Sequence, residues 1–452
     1  MISCYPSSAT QGRPALAPRL AIGAVIIQQM KGLTDEETVQ EIRENPSLQY
    51  FLGYPDYCYR RCCDLSLLVT IRRRLGPDLI AQFNRQFLAA QDSPPVETPA
   101  DESPQDTPDP EDGPGTGAAP PSEASAESPP ATVAPADIRY PTDLDLLNQC
   151  REVSEALIDT LWAPGPGRTK PRTYRRVARR EYLAVAKRRK KAGRQIRKAV
   201  RKQLQYVKRN LGHLDRLLNA RPGTVIPLSP RAYRQLLVIR EVYRQQQTMY
   251  DQRSHRIPGR MVSVSQPHVR PMVRGKARAS TEFGAKLSVS LVAGLAFLDR
   301  IRWDAFKESQ DLPAQVEHFR ERFGHYPAVV IADGIYGTRA NRQYLKARRI
   351  RFSGQPLGRP PTDAPTRKAA REQRRQEANQ RNQIEGKFGE GKRKYQLDCV
   401  RTKRQDTSEH WIAMTFFAMN IAAVLRQYFL SWFFWRLRRY GAVPFGRPGG
   451  SI

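Results

Sequence analysis

Residues 92–130 decide how the rest of this chain can fold. The stretch is rich in Pro, Ser, Ala, Asp and Glu and has almost no aliphatic side chains. It cannot bury enough apolar surface to offset the entropy of ordering it. The chain is therefore expected to fold on either side of a disordered, acidic, Pro-rich linker at 91–130. Its 452 residues leave room for roughly two to four domains.

The same stretch sharpens the charge pattern. Positions 86–138 hold eleven Asp or Glu and no Lys or Arg, in a chain of 75 basic and 44 acidic residues and net charge +31. With those eleven acids set aside, the other 399 residues carry +42. Charge on this scale resists compaction and is usually kept for a polyanionic partner. Nucleic acid is the leading candidate, and an anionic membrane surface the second. The most apolar run, 411–425, is fifteen residues long with Asn420 inside it and Arg426 closing it. That falls short of the roughly 18–20 residues a span needs. It reads as a core helix, followed by a short aromatic run at 429–435 and a C-terminal tail at 431–452. No membrane span is expected. The N-terminus lacks a basic start followed by an apolar stretch and a cleavage site, so no secretory signal is expected.

Other chemistries are excluded by motif. Six Cys are too sparse and uneven for a disulfide framework. Cys58, Cys62 and Cys63 lack the downstream Cys or His pair of a zinc site. No Walker loop, dinucleotide fingerprint or zinc-protease motif is present. His268 and His325 are lone loop histidines with no assigned role.

Residues 18–90 read as a helical unit. Thr34 and Glu37 have capping-box spacing, Val39 and Ile42 follow at helical period, and Asn45-Pro46 stops the helix. Residues 65–75 give another apolar face with an arginine cluster. Two readings stand: a helical module with a solvated basic edge, or a DNA-end-binding or dimerising domain. After the linker, 131–165 begins a second region, and 166–221 is a basic helical insertion. Between Arg168 and Arg209 there are nineteen Lys or Arg and one acid, Glu181. Ile196, Val200, Leu204, Val207, Leu211, Leu214 and Leu218 step along one helix face. The opposite face, with Arg197, Lys198, Arg201 and Lys202, is suited to phosphate-backbone contact.

Residues 222–430 carry an alternating pattern. Strands are expected at 262–264, 287–292, 295–298, 328–332 and 350–352, with helices at 341–349 and 366–392. The 328–332 run is wholly apolar, as in a buried central strand, and Asp333 follows it at once. An acid there is a frequent catalytic position in open α/β sheets. In the long helix Arg381, Glu385, Phe388 and Lys392 lie at offsets 0, 4, 7 and 11, on one face. Such a face is either a surface ion-pair ladder or a carboxylate that holds a metal while its cations grip phosphate. Phosphodiester chemistry calls for carboxylates around Mg²⁺, which takes oxygen ligands and needs no His or Cys.

These features resemble a family. LTDEETVQEIRENPSLQYFLGY at 33–54, ADIRYPTDLDLLN at 136–148, ADGIYGTRANRQYLKARRIRFSGQPLGRPP at 332–361 and RNQIEGKFGEGKRKYQL at 381–397 are similar to InsH-like bacterial insertion-sequence transposases of the DDE type. The resemblance extends over most of the chain outside the linker. It implies an α/β fold: a ribonuclease-H-like catalytic core of mixed sheet and flanking helices, preceded by an all-α N-terminal domain and interrupted by helical and disordered insertions. It also implies three metal-binding acids. Asp333 is similar to the second and Glu385 to the third, both as metal ligands, and Arg381 and Lys392 match the helix signature around Glu385. The tyrosine usual three positions before the arginine is Ala378 here. Where relatives carry the first acid this chain has Pro130, after the unstrand-like text SEASAESPP. Asp137 and Asp143 lie close downstream, and Asp137 is carried as the substitute first acid.

The resemblance implies Mg²⁺- or Mn²⁺-dependent strand cleavage at element ends and strand transfer into target DNA. It implies double-stranded DNA as the partner, a homodimer in the DNA complex and a cytoplasmic, nucleoid-associated location. The alternative is a degenerate transposase that keeps DNA binding only. A generic RNA- or membrane-binding basic protein accounts for neither the ordered matches nor the Arg381, Glu385 and Lys392 face.

Overall fold

The computed structural model describes residues 17–89, 125–128, 132–163, 169–190, 192–220, 226–273, 281–304, 306–353 and 363–440. The Pro- and Gly-rich stretch 354–365, which reads as a loop by composition, lies mostly outside them, as does Pro130.

Five helices open the chain: α1 (Pro18–Lys31), α2 (Asp35–Glu44), α3 (Pro46–Leu52), α4 (Leu65–Arg74) and α5 (Pro77–Ala89). Thr34 and Glu37 close both bonds of the capping box at 3.2 and 2.8 Å. Asn45 caps α3, with Pro46 in its first turn. The apolar faces of these helices do not close on one another alone. Ala24, Ile42, Leu68 and Ile71 share a core with Ala413, Met414 and Phe417 of the last helix, α13 (Gln405–Tyr440).

Helix α13 contains the longest apolar run. Residues 405–432 are long and apolar enough to cross a membrane, yet 61% of the apolar window is buried inside the protein. The buried Asn420 explains its place. Its amide accepts from Ala296 N and donates to Ala296 O, both at 2.8 Å, satisfying backbone at a strand edge. The C-terminal tail expected from 431 is instead a continuation of α13, which runs on to Tyr440.

His410 of α13 is buried, with Nδ1 2.6 Å from Leu75 O. Burial, opposed by that carbonyl, pushes its pKa down to about 4. The unfolded chain takes up this proton first as pH falls below about 6.5, so stability drops down to the folded value. Over that window the expected loss from this group is about 3 kcal/mol. His410→Gln keeps a donor for Leu75 and should flatten the loss. Identical pH slopes for parent and variant in urea titrations would refute it.

Seven strands form the sheet: β1 (Ser125–Ser128), β2 (Thr132–Pro135), β3 (Arg270–Val273), β4 (Thr281–Val292), β5 (Leu295–Arg302), β6 (Val329–Ala332) and β7 (Arg351–Phe352). The long β4 is the organiser. It pairs antiparallel with β5 through a two-residue turn in which Ala293 and Gly294 take φ +49° and +79°. It also pairs antiparallel with β1, β2 and β3. On its other edge β1 runs parallel to β6, and β6 parallel to β7. One continuous path is therefore β5-β4-β1-β6-β7, three strands joined antiparallel and then two parallel additions.

Two expectations change here. Residues 125–128, read as the end of the disordered linker and as unstrand-like, are a strand between β4 and β6. Pairing on both edges supplies what side-chain propensity does not. Residues 262–264, read as a strand, are irregular. Val264 joins the helical core below, and the amide next to them, Met261 N, bonds Gln245 Oε1 at 2.9 Å in place of a ladder partner.

Between β2 and β3 the chain builds a helical module: α6 (Asp143–Leu161), α7 (Arg175–Ala186), α8 (Gly193–Asn219) and α9 (Pro230–Asp251). The α8 stripe of Val200, Leu204, Val207, Leu211 and Leu214 is buried as its period predicts. It packs with Leu147 and Ile158 of α6 and Leu236 and Ile239 of α9. Boundaries at 165/166 and 221/222 would separate helices that share this core.

Candidate active site

Strand β6 (VVIA) is central and apolar, and it stops at Asp333. The Asp333 side chain turns the chain: Oδ1 accepts from Gly334 N at 2.6 Å and caps a 3₁₀ turn at Gly334–Tyr336. Two side chains lock the following loop. Asn341 Nδ2 donates to Tyr336 O and Ser309 O at 2.9 and 2.7 Å. Arg342 Nε donates to Gly337 O at 3.0 Å. Tyr336 is fully buried below. Its hydroxyl pKa is driven well up, first by burial, then by Glu308, Asp311, Asp299 and Asp333. The first three of these carboxylates are matched by Lys286, Arg300 and Arg322.

The long helix α12 (Ala364–Lys394) lies against this strand end. Ile384 and Phe388 are buried in the sheet core and hold its register. Arg381 then stands beside the strand end, with Nη1 3.5 Å from Asp333 Oδ1 and both side chains about 40% exposed. Glu385, one turn further on, is exposed and has no ion pair or hydrogen bond among the described residues. Lys392 is half-buried. One residue of this face was not singled out from sequence. Glu377 is buried and ion-paired with Arg351 of β7, tying α12 to the sheet. Its signal was available: Glu377, Arg381 and Glu385 fall at offsets 0, 4 and 8.

The first acid is not completed by the expected substitutes. Asp137 sits beyond β2, its amide on Val400 O at 3.1 Å. It also lies close enough to Cys399 to help burial raise that thiol's pKa. Position 399 follows the C-terminal end of α12, whereas Arg381 is thirteen residues before that end. At the helical rise this is about 20 Å of axis, so Asp137 stands away from Asp333. Asp143 is committed to Gln246 and Arg260 at 2.9 and 2.7 Å. The register of β1 puts Ser128 beside Ala332, and positions 129 and 130 lie outside the described residues. Among the described residues no three His, Cys, Asp or Glu gather into a group that could hold a metal ion. The oxygens of Asp333 and Glu385 suit Mg²⁺ or Mn²⁺ by type and fall short by number.

The basic face of α8 is a separate surface. Lys198 and Arg201 are exposed and carry no ion pair among the described residues. Arg197 lies over the Tyr250 ring at 4.0 Å, and Lys202 is paired with Glu181. Half of the expected phosphate-binding set is therefore already engaged within the module.

Comparison with known proteins divides along these lines. Residues 330–422, holding Asp333, Arg381, Glu385 and Lys392, match the family model described as a transposase DDE domain. Residues 2–74 match a transposase domain, DUF772. A stretch of 79 residues is 33% identical to a protein of Rhizobium meliloti described as uncharacterized protein ORF8 in the nfe locus. That stretch is 18% of this chain and covers 38% of the relative's length. No solved structure matches.

Proposed function

Because the chain belongs to the DDE-type insertion-sequence transposases, we propose that it binds the ends of a mobile element and cleaves their phosphodiester backbone. The observation that carries this reading is the meeting of Asp333 with Arg381 at the exposed end of β6, one turn before the exposed Glu385. The strand path β5-β4-β1-β6-β7 supports a ribonuclease-H-like core. In that reading Asp333 and Glu385 are the carboxylates that would hold Mg²⁺ or Mn²⁺, which when bound supplies charge to the attacking and leaving oxygens. Arg381 screens Asp333 in the free protein and turns to a non-bridging phosphate oxygen when DNA arrives. Water forms a new P–O bond as the P–O3′ bond at the element end breaks. The freed 3′-hydroxyl then attacks a target phosphodiester, forming one P–O bond as the target P–O3′ bond breaks. Pairing of two ends calls for two copies of the chain in the complex, acting in the cytoplasm at the nucleoid.

The test is cleavage of labelled element-end duplex by the full chain in Mg²⁺ and in Mn²⁺. Nicking that depends on Asp333 supports the reading, and its absence with binding retained overturns the enzymatic part. A second reading, a degenerate transposase that grips DNA without cutting, is favoured by the missing third ligand among the described residues.

The α8 face gives a separate prediction. Lys198→Glu with Arg201→Glu should weaken duplex binding and reduce the slope of log affinity against log salt by about 2, at roughly 0.9 per phosphate contact. A slope unchanged from the parent would remove this face from the interface.

A further inference from the structure

A cleft of about 1060 Å³ opens between the N-terminus of α9 and the segment that joins α12 to α13. Its charged lining can be accounted for group by group. Arg404 is spent on Asp406, with Nε and Nη2 donating at 3.0 and 2.6 Å. Glu409 accepts from Trp303 Nε1 and Gln405 Nε2 at 2.9 and 2.8 Å. Both acids of the cleft are thus engaged. Arg231 and Arg234, one turn apart on α9, and Lys403 on the other wall line the same space. All three are exposed and have no ion pair among the described residues. The 22-residue α9 adds the positive end of its dipole, its first turn capped by Ser229. The unbalanced charge is therefore cationic and comes from two walls.

We propose that this cleft holds one strand of the DNA backbone, bracing the helical module against the DDE region. The inference rests on the DNA reading above and names a further contact surface, separate from both Asp333 and the α8 face. A polyanion is the fitting occupant because the three cations are distributed over two walls of an open cleft. They come from α9 of the module and from the 403–404 segment within the DDE match. A strand lying between them touches both units at once, and neither unit offers the full set alone.

The experiment uses the full chain and binding of an element-end duplex at several salt concentrations. The variant is Arg231→Glu, Arg234→Glu and Lys403→Glu together, beside a milder version with Gln at all three positions. The expected result is affinity at least about 10-fold weaker and a salt slope shallower by about 2–3, with the melting temperature unchanged. The Gln version should show the same direction with a smaller affinity loss. Parent-like affinity and slope in both variants would overturn the cleft while leaving the DNA reading intact. No DNA binding by the parent would overturn the DNA reading itself. An RNA duplex whose binding falls while DNA binding holds would overturn the assignment to DNA.

Discussion

Asp333→Asn and Glu385→Gln are each expected to lower metal-dependent strand cleavage by roughly 10²–10³-fold, the scale for removing one preorganised charge at a reacting centre. DNA affinity should stay within about 3-fold of the parent, because neither carboxylate makes phosphate contacts of its own. The readout is therefore the separation of two quantities on one preparation, cleavage rate and duplex affinity. Arg381→Ala should behave differently. It frees Asp333 of its neighbour at 3.5 Å and removes the proposed phosphate contact, so cleavage and affinity should fall together. Asp137→Asn should leave cleavage at the parental rate, since Asp137 stands at the other end of α12. If Asp137→Asn abolished cleavage while Glu385→Gln did not, the placement of the site at β6 and α12 would be wrong.

Gly284→Ala is expected to cost about 3 kcal/mol or to prevent folding. A Cβ at position 284 would lie 2.0 Å from Ala134 O and 2.8 Å from both Ala134 C and Pro135 Cα. Those atoms are backbone of β2, so no side-chain rotation relieves the clash. Gly284 is also the residue of β4 that pairs with Pro135 on one edge and Arg270 on the other. Added bulk there must push β2 away from β4 and with it the chain that leads from β1 into α6. Urea unfolding of the purified variant checks the cost. A midpoint equal to the parent would mean that β2 approaches β4 less closely than described. Gly386→Ala is the control, since nothing lies within 4 Å of a Cβ at that position.

Much of the architecture could be read from local pattern. The capping box at Thr34 and Glu37, the α8 stripe and the apolar strand before Asp333 are short-range signals, and each formed as expected. Periodicity works there because one face of each element is buried and the other is not. The pattern failed where pairing decides. Residues 125–128 look like linker and are a strand, because β4 and β6 satisfy the backbone on both sides. Residues 262–264 look like a strand and are irregular, because a neighbouring amide finds a glutamine and Val264 finds the helical core.

The site divides in the same way. The sequence alone determined that Arg381, Glu385 and Lys392 share a helix face, that Asp333 ends a buried strand, and that the chain carries a strong positive charge. These follow from the 3.6-residue turn, strand burial and summed charge, none of which needs a neighbour. Only the tertiary structure decided that Arg381 meets Asp333, that Asp137 lies elsewhere, and that Glu377 anchors α12 to β7. It alone brought Arg231 and Arg234 to the same cleft as Lys403, more than 160 positions away in the chain. Such meetings depend on how elements dock, and docking is set by long-range burial that no local window of sequence contains.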